Sequence, residues 1–136
     1  MQADPESKAQ PGVKEIKNSS FIVQKYIEAP LLFRKRKFDI RIWALISHDM
    51  KFYLFREAYV RTSSEEYDLS GDKLDQVYVH LTNNAVQKYS KNYGKFEEGN
   101  IVSVKALTKE LATQDQYKSN LTADEIEASL YKQMKE

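Results

Sequence analysis

Lys37-Phe38-Asp39-Ile40-Arg41-Ile42-Trp43 is the stretch on which the fold of this chain turns. Apolar and charged residues alternate along it, the period of a β-strand, where neighbouring side chains point to opposite faces. Phe38, Ile40, Ile42 and Ala44 make an apolar face ready for a core. Lys37, Asp39 and Arg41 line up on the other face. Three charges on one face have two explanations. They belong to a solvated surface and pair with one another, or they serve a site that needs cations and a carboxylate together, because unpaired burial is costly. Trp43 and Leu45 continue the charged face and turn it aromatic, as a pocket wall would.

Outward from this strand, Phe21 to Glu28 is rich in β-formers and is stopped by Pro30, which predicts a second strand. The basic run Arg34-Lys35-Arg36-Lys37 separates it from a strand over Phe38 to Ser47. His48-Asp49-Met50 reads as a tight connection, followed by strands over Lys51 to Arg56 and Ala58 to Thr62. Ser63 to Gln76 reads as a loop, and Val77 to Ala85 as a strand that runs out at Asn83-Asn84. The period then changes. Val104, Leu107 and Leu111 form one helical stripe, and Ile126, Leu130 and Met134 form another. Thr122 followed three residues later by Glu125 predicts a capping box for the second helix. That helix is expected to run to Glu136, as though the domain continued. Strands first and helices last predict an α+β fold, mostly antiparallel sheet with C-terminal helices. Residues 1–20 are polar, with Pro5, Pro11 and Gly12, and read as a tail or linker ahead of one domain over 21–136.

Composition narrows the function. The 136 residues carry 21 Lys and Arg against 20 Asp and Glu, a net charge of +1, without the basic excess of a nucleic-acid binder. The absence of cysteine excludes disulfides, thiolate metal sites and cysteine nucleophiles. No apolar run reaches the roughly 20 residues of a membrane helix. The first residues lack the apolar core of a signal peptide, so the chain reads as cytosolic. The glycines form neither a dinucleotide nor a Walker pattern, and no HExxH is present.

The remaining signals are individually weak. Arg61 offers a fork for a carboxylate or phosphate, but a lone arginine is more often a surface residue. His80-Leu81-Thr82-Asn83-Asn84 groups a hydroxyl and two amides, residues that also simply favour turns. His80 reads as a satisfied structural histidine. The basic run Arg34 to Lys37 fits a solvated loop, an import or polyanion patch, or a docking surface for an acidic polypeptide.

In combination these stretches resemble the tubulin–tyrosine ligase family. The resemblance lies in the order Val23-Gln24-Lys25-Tyr26-Ile27-Glu28 with Pro30-Leu31-Leu32, then Arg36-Lys37-Phe38-Asp39-Ile40-Arg41, then Tyr59-Val60-Arg61, then His80-Leu81-Thr82-Asn83. It covers Phe21 to Asn100 strongly. The resemblance implies part of an ATP-grasp domain that ligates an amino acid (tyrosine, glycine or glutamate) to tubulin through an acyl phosphate. It implies that Gln24, Lys25, Tyr26 and Ile27 form an adenine-side hinge. Lys37, Asp39, Thr82 and Asn83 would bind ATP. Arg41 and Arg61 would hold substrate carboxylates, with Arg61 also stabilising the oxyanion. ATP and Mg2+ are the implied cofactors, the metal ligands lying outside this chain. The implied partners are the acidic C-terminal tail of tubulin and an amino-acid substrate, with neither nucleic acid nor membrane. The implied location is the cytoplasm, on the microtubule cytoskeleton or in a cilium. The family's glycine-containing ATP loop is not found upstream of Gln24, so weak ATP binding and no turnover are expected of the chain alone. It would then be a piece of a longer ligase, or a non-catalytic relative that docks on acidic tubulin tails.

Overall fold

The computed structural model of the chain describes residues 22–114 and 121–135. The expected tail over 1–20, Phe21 and Glu136 lie outside the described residues. Four strands form one antiparallel sheet in the order β1-β2-β3-β4: β1 Leu32–Phe33, β2 Arg36–Ile46, β3 Phe52–Glu66 and β4 Ile101–Ser103. Two short helices, α1 Val77–His80 and α2 Asn84–Gln87, cross between β3 and β4. Two longer ones, α3 Val104–Thr113 and α4 Ala123–Gln133, follow the sheet. The α+β arrangement of antiparallel sheet and C-terminal helices is therefore present.

β2 forms where the alternation predicts it, and Phe38 and Ile40 pack against the buried cluster of Phe33, Val60, Val102, Val104, Leu107 and Leu111. The α3 stripe thus belongs to the core, with Leu107 fully buried. α4 adds Ile126 and Tyr131 to the same cluster. The Thr122 side chain accepts from the Glu125 N–H while the Glu125 carboxylate accepts from the Thr122 N–H, so the capping box forms. α4 does not run to the last residue: it ends at Gln133, with Met134 as its C-cap.

Several local expectations are corrected. Residues 22–27 form no strand; they are exposed and enter no ladder, because no neighbouring strand offers them a sheet edge. The two strands expected between Lys51 and Thr62 are one, and it runs on through Ser63, Ser64 and Glu66. The polar Thr62-Ser63-Ser64 stretch is buried, held by side chains from the segment after β3. The strand expected over Val77 to Ala85 is instead α1, a link and α2, since Val79 is buried in a helical turn whose carbonyls are capped by Gln87.

The basic run also divides. Arg34 and Lys35 form the turn between β1 and β2, both at positive φ, as a two-residue type I′ turn requires. Arg34 pairs with Glu110 on α3 at 3.1 Å. Arg36 is only 2% exposed: its guanidinium donates to Thr62 Oγ1, the Ser63 carbonyl and Glu97, and lies 4.5 Å from the centre of the Phe96 ring. It is a core ion pair and not part of a surface patch.

β2 carries two register irregularities, between Arg36 and Phe38 and between Ile42 and Ala44. At the second, two steps along β2 face four along β3, so the extra residues lie on β3, and Trp43 and Leu45 keep the alternation of Lys37, Asp39 and Arg41. They line an open apolar groove with Tyr53 and Phe55 on the outer half of the β2–β3 hairpin.

Candidate functional site

The site begins where β2 and β3 put Asp39 directly opposite Arg61. A cross-strand pair of opposite charge is favourable by position alone. Here the fork closes on both carboxylate oxygens: Arg61 Nε donates to Asp39 Oδ1 at 2.8 Å and Nη2 donates to Oδ2 at 2.5 Å. Thr82, in the link between α1 and α2, donates its hydroxyl to Asp39 Oδ2 at 2.8 Å. Partial burial pushes the Asp39 carboxyl up, but the hydrogen bonds from Arg61 and Thr82, with the charges of Arg61 and Arg41, outweigh it and hold the group below its ordinary value. The Asp39 hydrogen bond correspondingly raises Arg61.

Lys37, Asp39 and Arg41 occur at every second residue of β2, which places them within roughly 13 Å of one another. Lys37 reaches the other part of the site. Its Nζ donates to Tyr26 Oη at 3.0 Å and lies 4.6 Å from the centre of that ring. Tyr26 Oη is also 2.9 Å from His80 Nδ1, and His80 Nε2 is 3.1 Å from the Lys73 carbonyl. Tyr67 holds the same segment by donating to the Glu28 carbonyl at 2.8 Å. The extended segment containing Gln24, Lys25, Tyr26 and Ile27 is therefore tied to the charged strand through side chains.

Beside Arg61 lies a cavity of about 100 Å³, lined by Tyr59, Arg61, Thr82, Asn84, Gln87 and Asn100 among others. Gln87 and Asn100, which the sequence does not single out, build its walls. Gln87 is fully buried: its Oε1 accepts from the Ser64 N–H at 2.8 Å, and its Nε2 donates to the carbonyls of Tyr78 and Leu81. Asn100, at φ 55°, donates to the Thr62 carbonyl at 3.1 Å and to Ser64 Oγ at 2.8 Å. Neither residue carries a sequence signal, because an amide that holds backbone groups together reads like any polar loop residue.

The structure thus brings together Tyr26, Lys37, Asp39, Arg61 and Thr82. Gln24, Lys25 and Ile27 are exposed on the tethered segment. Arg41 is exposed on β2 and has no ion-pair partner among the described residues, although its charge reaches Asp39. The Asn83 side chain caps α2 by accepting from the Ala85 N–H at 3.1 Å. Asp39 and Arg61 neutralise each other, so Lys25, Lys37 and Arg41 remain as positive charges not matched by a carboxylate among the described residues. Such a donor set fits an anion of several charges, such as a triphosphate. Among the described residues no three His, Cys, Asp or Glu side chains come together to hold a metal.

Comparisons with known proteins agree on one family. The one described as the Tubulin-tyrosine ligase family matches residues 6–136. Tubulin glycylase 3B of Tetrahymena thermophila is 46% identical over 78 residues, covering 56% of this chain and 6% of the relative. Protein monoglycylase TTLL8 of Homo sapiens is also 46% identical over 78 residues, covering 56% of this chain and 9% of the relative. The probable alpha-tubulin polyglutamylase Ttll1 of Tetrahymena thermophila is 38% identical over 82 residues, covering 59% and 20%. The matched segment is thus a fifth or less of the length of these relatives.

Proposed function

Since this chain belongs to the tubulin–tyrosine ligase family, we propose that it is part of an ATP-grasp ligase that joins an amino acid, glycine in our reading, to an acidic tubulin tail. The observation that carries the proposal is the β2 face, where Lys37, Asp39 and Arg41 stand beside Arg61 and Thr82 and are tied to the Gln24–Ile27 segment. Glycine is favoured because two of the relatives are named as glycylases, and because the cavity beside Arg61 is small.

In this reading the Gln24–Ile27 backbone receives the adenine. Lys37 and Lys25 face the phosphates, and Arg41 draws in the carboxylate of the tail or of the amino acid. When bound, ATP supplies the phosphoryl group that turns a carboxylate into an acyl phosphate, releasing ADP; attack by an amine then gives the amide and phosphate. The chain's own contribution is electrostatic placement. Arg61, fixed by Asp39, presents a preoriented cation at the edge of the cavity, where charge develops on the attacked carbonyl. Asp39 holds Arg61 and Thr82 in register and stays ionised at neutral pH.

Calorimetric titration of the chain with ATP tests the site. Lys37→Met and Lys25→Met should each weaken binding about tenfold or more, the loss expected for one charge-assisted contact. Affinity unchanged in both variants would show that the face is not a nucleotide site. Incorporation of labelled glycine, glutamate or tyrosine into tubulin then identifies the amino acid. Salt-sensitive binding of an acidic tail peptide, with no label incorporated by the native protein, would favour the non-catalytic docking role.

A further inference from the structure

The proposed hinge lacks the support that would normally hold it. Residues 22–27 enter no ladder, and their side chains are exposed. What fixes the segment is a short series of side-chain hydrogen bonds, and the direction of each bond is determined by its partners. The Lys73 carbonyl can only accept, so His80 Nε2, at 3.1 Å, carries a proton and donates. In the neutral ring Nδ1 is then a bare acceptor, and Tyr26 Oη, at 2.9 Å, donates to it. The Tyr26 oxygen is left with lone pairs for the Lys37 ammonium at 3.0 Å. The bonds run one way, from Lys37 to Tyr26 to His80 to the Lys73 carbonyl, and the Tyr67 hydroxyl also lies against that of Tyr26.

We infer that His80 is a positioning residue for the nucleotide site: its neutral Nε2–H tautomer orients the Tyr26 hydroxyl, which fixes the Gln24–Ile27 segment against Lys37, and protonation of His80 releases that hold. This inference rests on the nucleotide reading given above and adds a residue and a pH response to it.

The chemistry of release is local. A proton on Nδ1 turns the acceptor facing Tyr26 into a donor. Tyr26 Oη would then have to accept from two cations at once, the imidazolium and the Lys37 ammonium, and give up its own donation to the ring. The other groups around the ring do not favour the extra charge. Tyr26 and Tyr67 meet it edge-on, with centroids 5.7 and 6.2 Å away. Lys73 brings a second ammonium on the same turn as the carbonyl, although Asp68 pairs with it at 3.0 Å. Glu28 sits on the segment itself, where its carbonyl is held by Tyr67. With the Tyr26–His80 bond broken, the Lys37 contact to Tyr26 and the Tyr67 hydroxyl on the Glu28 carbonyl remain as the tether, the latter at the far end of the segment from Gln24.

The test uses the full chain in three forms: wild type, His80→Asn and His80→Leu. Asn places an amide oxygen near the position of Nδ1 and does not titrate; Leu offers no acceptor. Backbone 15N relaxation of Gln24–Ile27 and the ATP dissociation constant are measured on the same samples at about pH 8 and about pH 5.5. In the wild type, acid should take order parameters in the segment from near 0.85 toward 0.6 or below. It should also weaken ATP binding severalfold, because only the neutral ring holds the segment in its binding form. His80→Asn should stay ordered and lose the pH response, which also removes any effect of the nucleotide's own ionisation. His80→Leu should be loose and weak at both pH values. Identical pH profiles in wild type and His80→Asn, or an ordered segment in His80→Leu, would overturn the inference. A segment that loosens while ATP affinity holds would overturn the positioning role. A segment that responds to acid in a chain that binds no ATP at either pH would instead refute the nucleotide reading, leaving the histidine's hold on Tyr26 intact.

Discussion

Removal of Glu97 should cost the domain a large part of its stability, although the residue lies outside every regular strand and long helix. Glu97 is the only carboxylate paired with Arg36 among the described residues, at 2.5 Å, and the two side chains are 2% and 13% exposed. In Glu97→Ala the guanidinium stays buried with its charge uncompensated. The general cost of breaking a buried pair from one side is about 3–5 kcal/mol. Arg36 would keep its bonds to Thr62 and Ser63 and the Phe96 ring face, which argues for the lower end, about 3 kcal/mol. Thr62 would also lose Glu97 as an acceptor, but can turn its hydroxyl toward the Asn100 carbonyl. Against a total stability of about 5–15 kcal/mol this is a large fraction. Urea unfolding followed by circular dichroism measures it: with a slope of about 1.5–2 kcal/mol/M, the midpoint should fall by roughly 1.5–2 M. Glu97→Gln keeps an acceptor and should cost less. The paired replacement Arg36→Met with Glu97→Leu removes both charges and should be markedly more stable than Glu97→Ala. A loss below about 1 kcal/mol for Glu97→Ala, or strict additivity of the two replacements, would refute the argument that the pair is buried and coupled.

Three further outcomes are expected. Because the folded Asp39 carboxyl sits below its unfolded value of 3.8, the stability it contributes is complete above that pH and is lost as the pH falls further; Asp39→Asn should flatten this part of an acid titration monitored by fluorescence and also weaken ATP binding. Thr122→Ala removes the N-cap of α4 and should cost about 1 kcal/mol, seen as faster amide exchange in the first turn of that helix. Lys35→Gly relieves a side chain at φ 63° in the β1–β2 turn and should raise the urea midpoint, by about 0.5–1 kcal/mol of stability.

What the sequence displays well is what depends on near neighbours. The alternation in β2, the α3 stripe and the Thr122–Glu125 box all rest on contacts within a few residues or along one face, and all three form. The shared face of Lys37, Asp39 and Arg41 was legible for the same reason. Arg36 was misjudged because the partner that buries it lies 61 residues away. Val77 to His80 has strand-forming composition but folds as a helical turn, because Gln87 captures its carbonyls and Val79 is drawn into the interior. Residues 22–28 make the converse case: strand-like composition does not make a strand without a neighbouring edge. The Tyr26–His80 contact, 54 residues apart, carries no signal in either local pattern.

The separate origins of Asp39, Arg61 and Thr82 also set the order in which the site is assembled. Asp39 and Arg61 lie on one hairpin, 22 residues apart, and a hairpin of local contacts closes within microseconds. His80 ends one four-residue helix and Thr82 lies in the link to the next; helices this short cannot persist alone and depend on the grip of Gln87. The ion pair is therefore an early and durable part of the fold, whereas the hydroxyl and the imidazole arrive together, late, and leave together whenever the Gln87 side chain lets go.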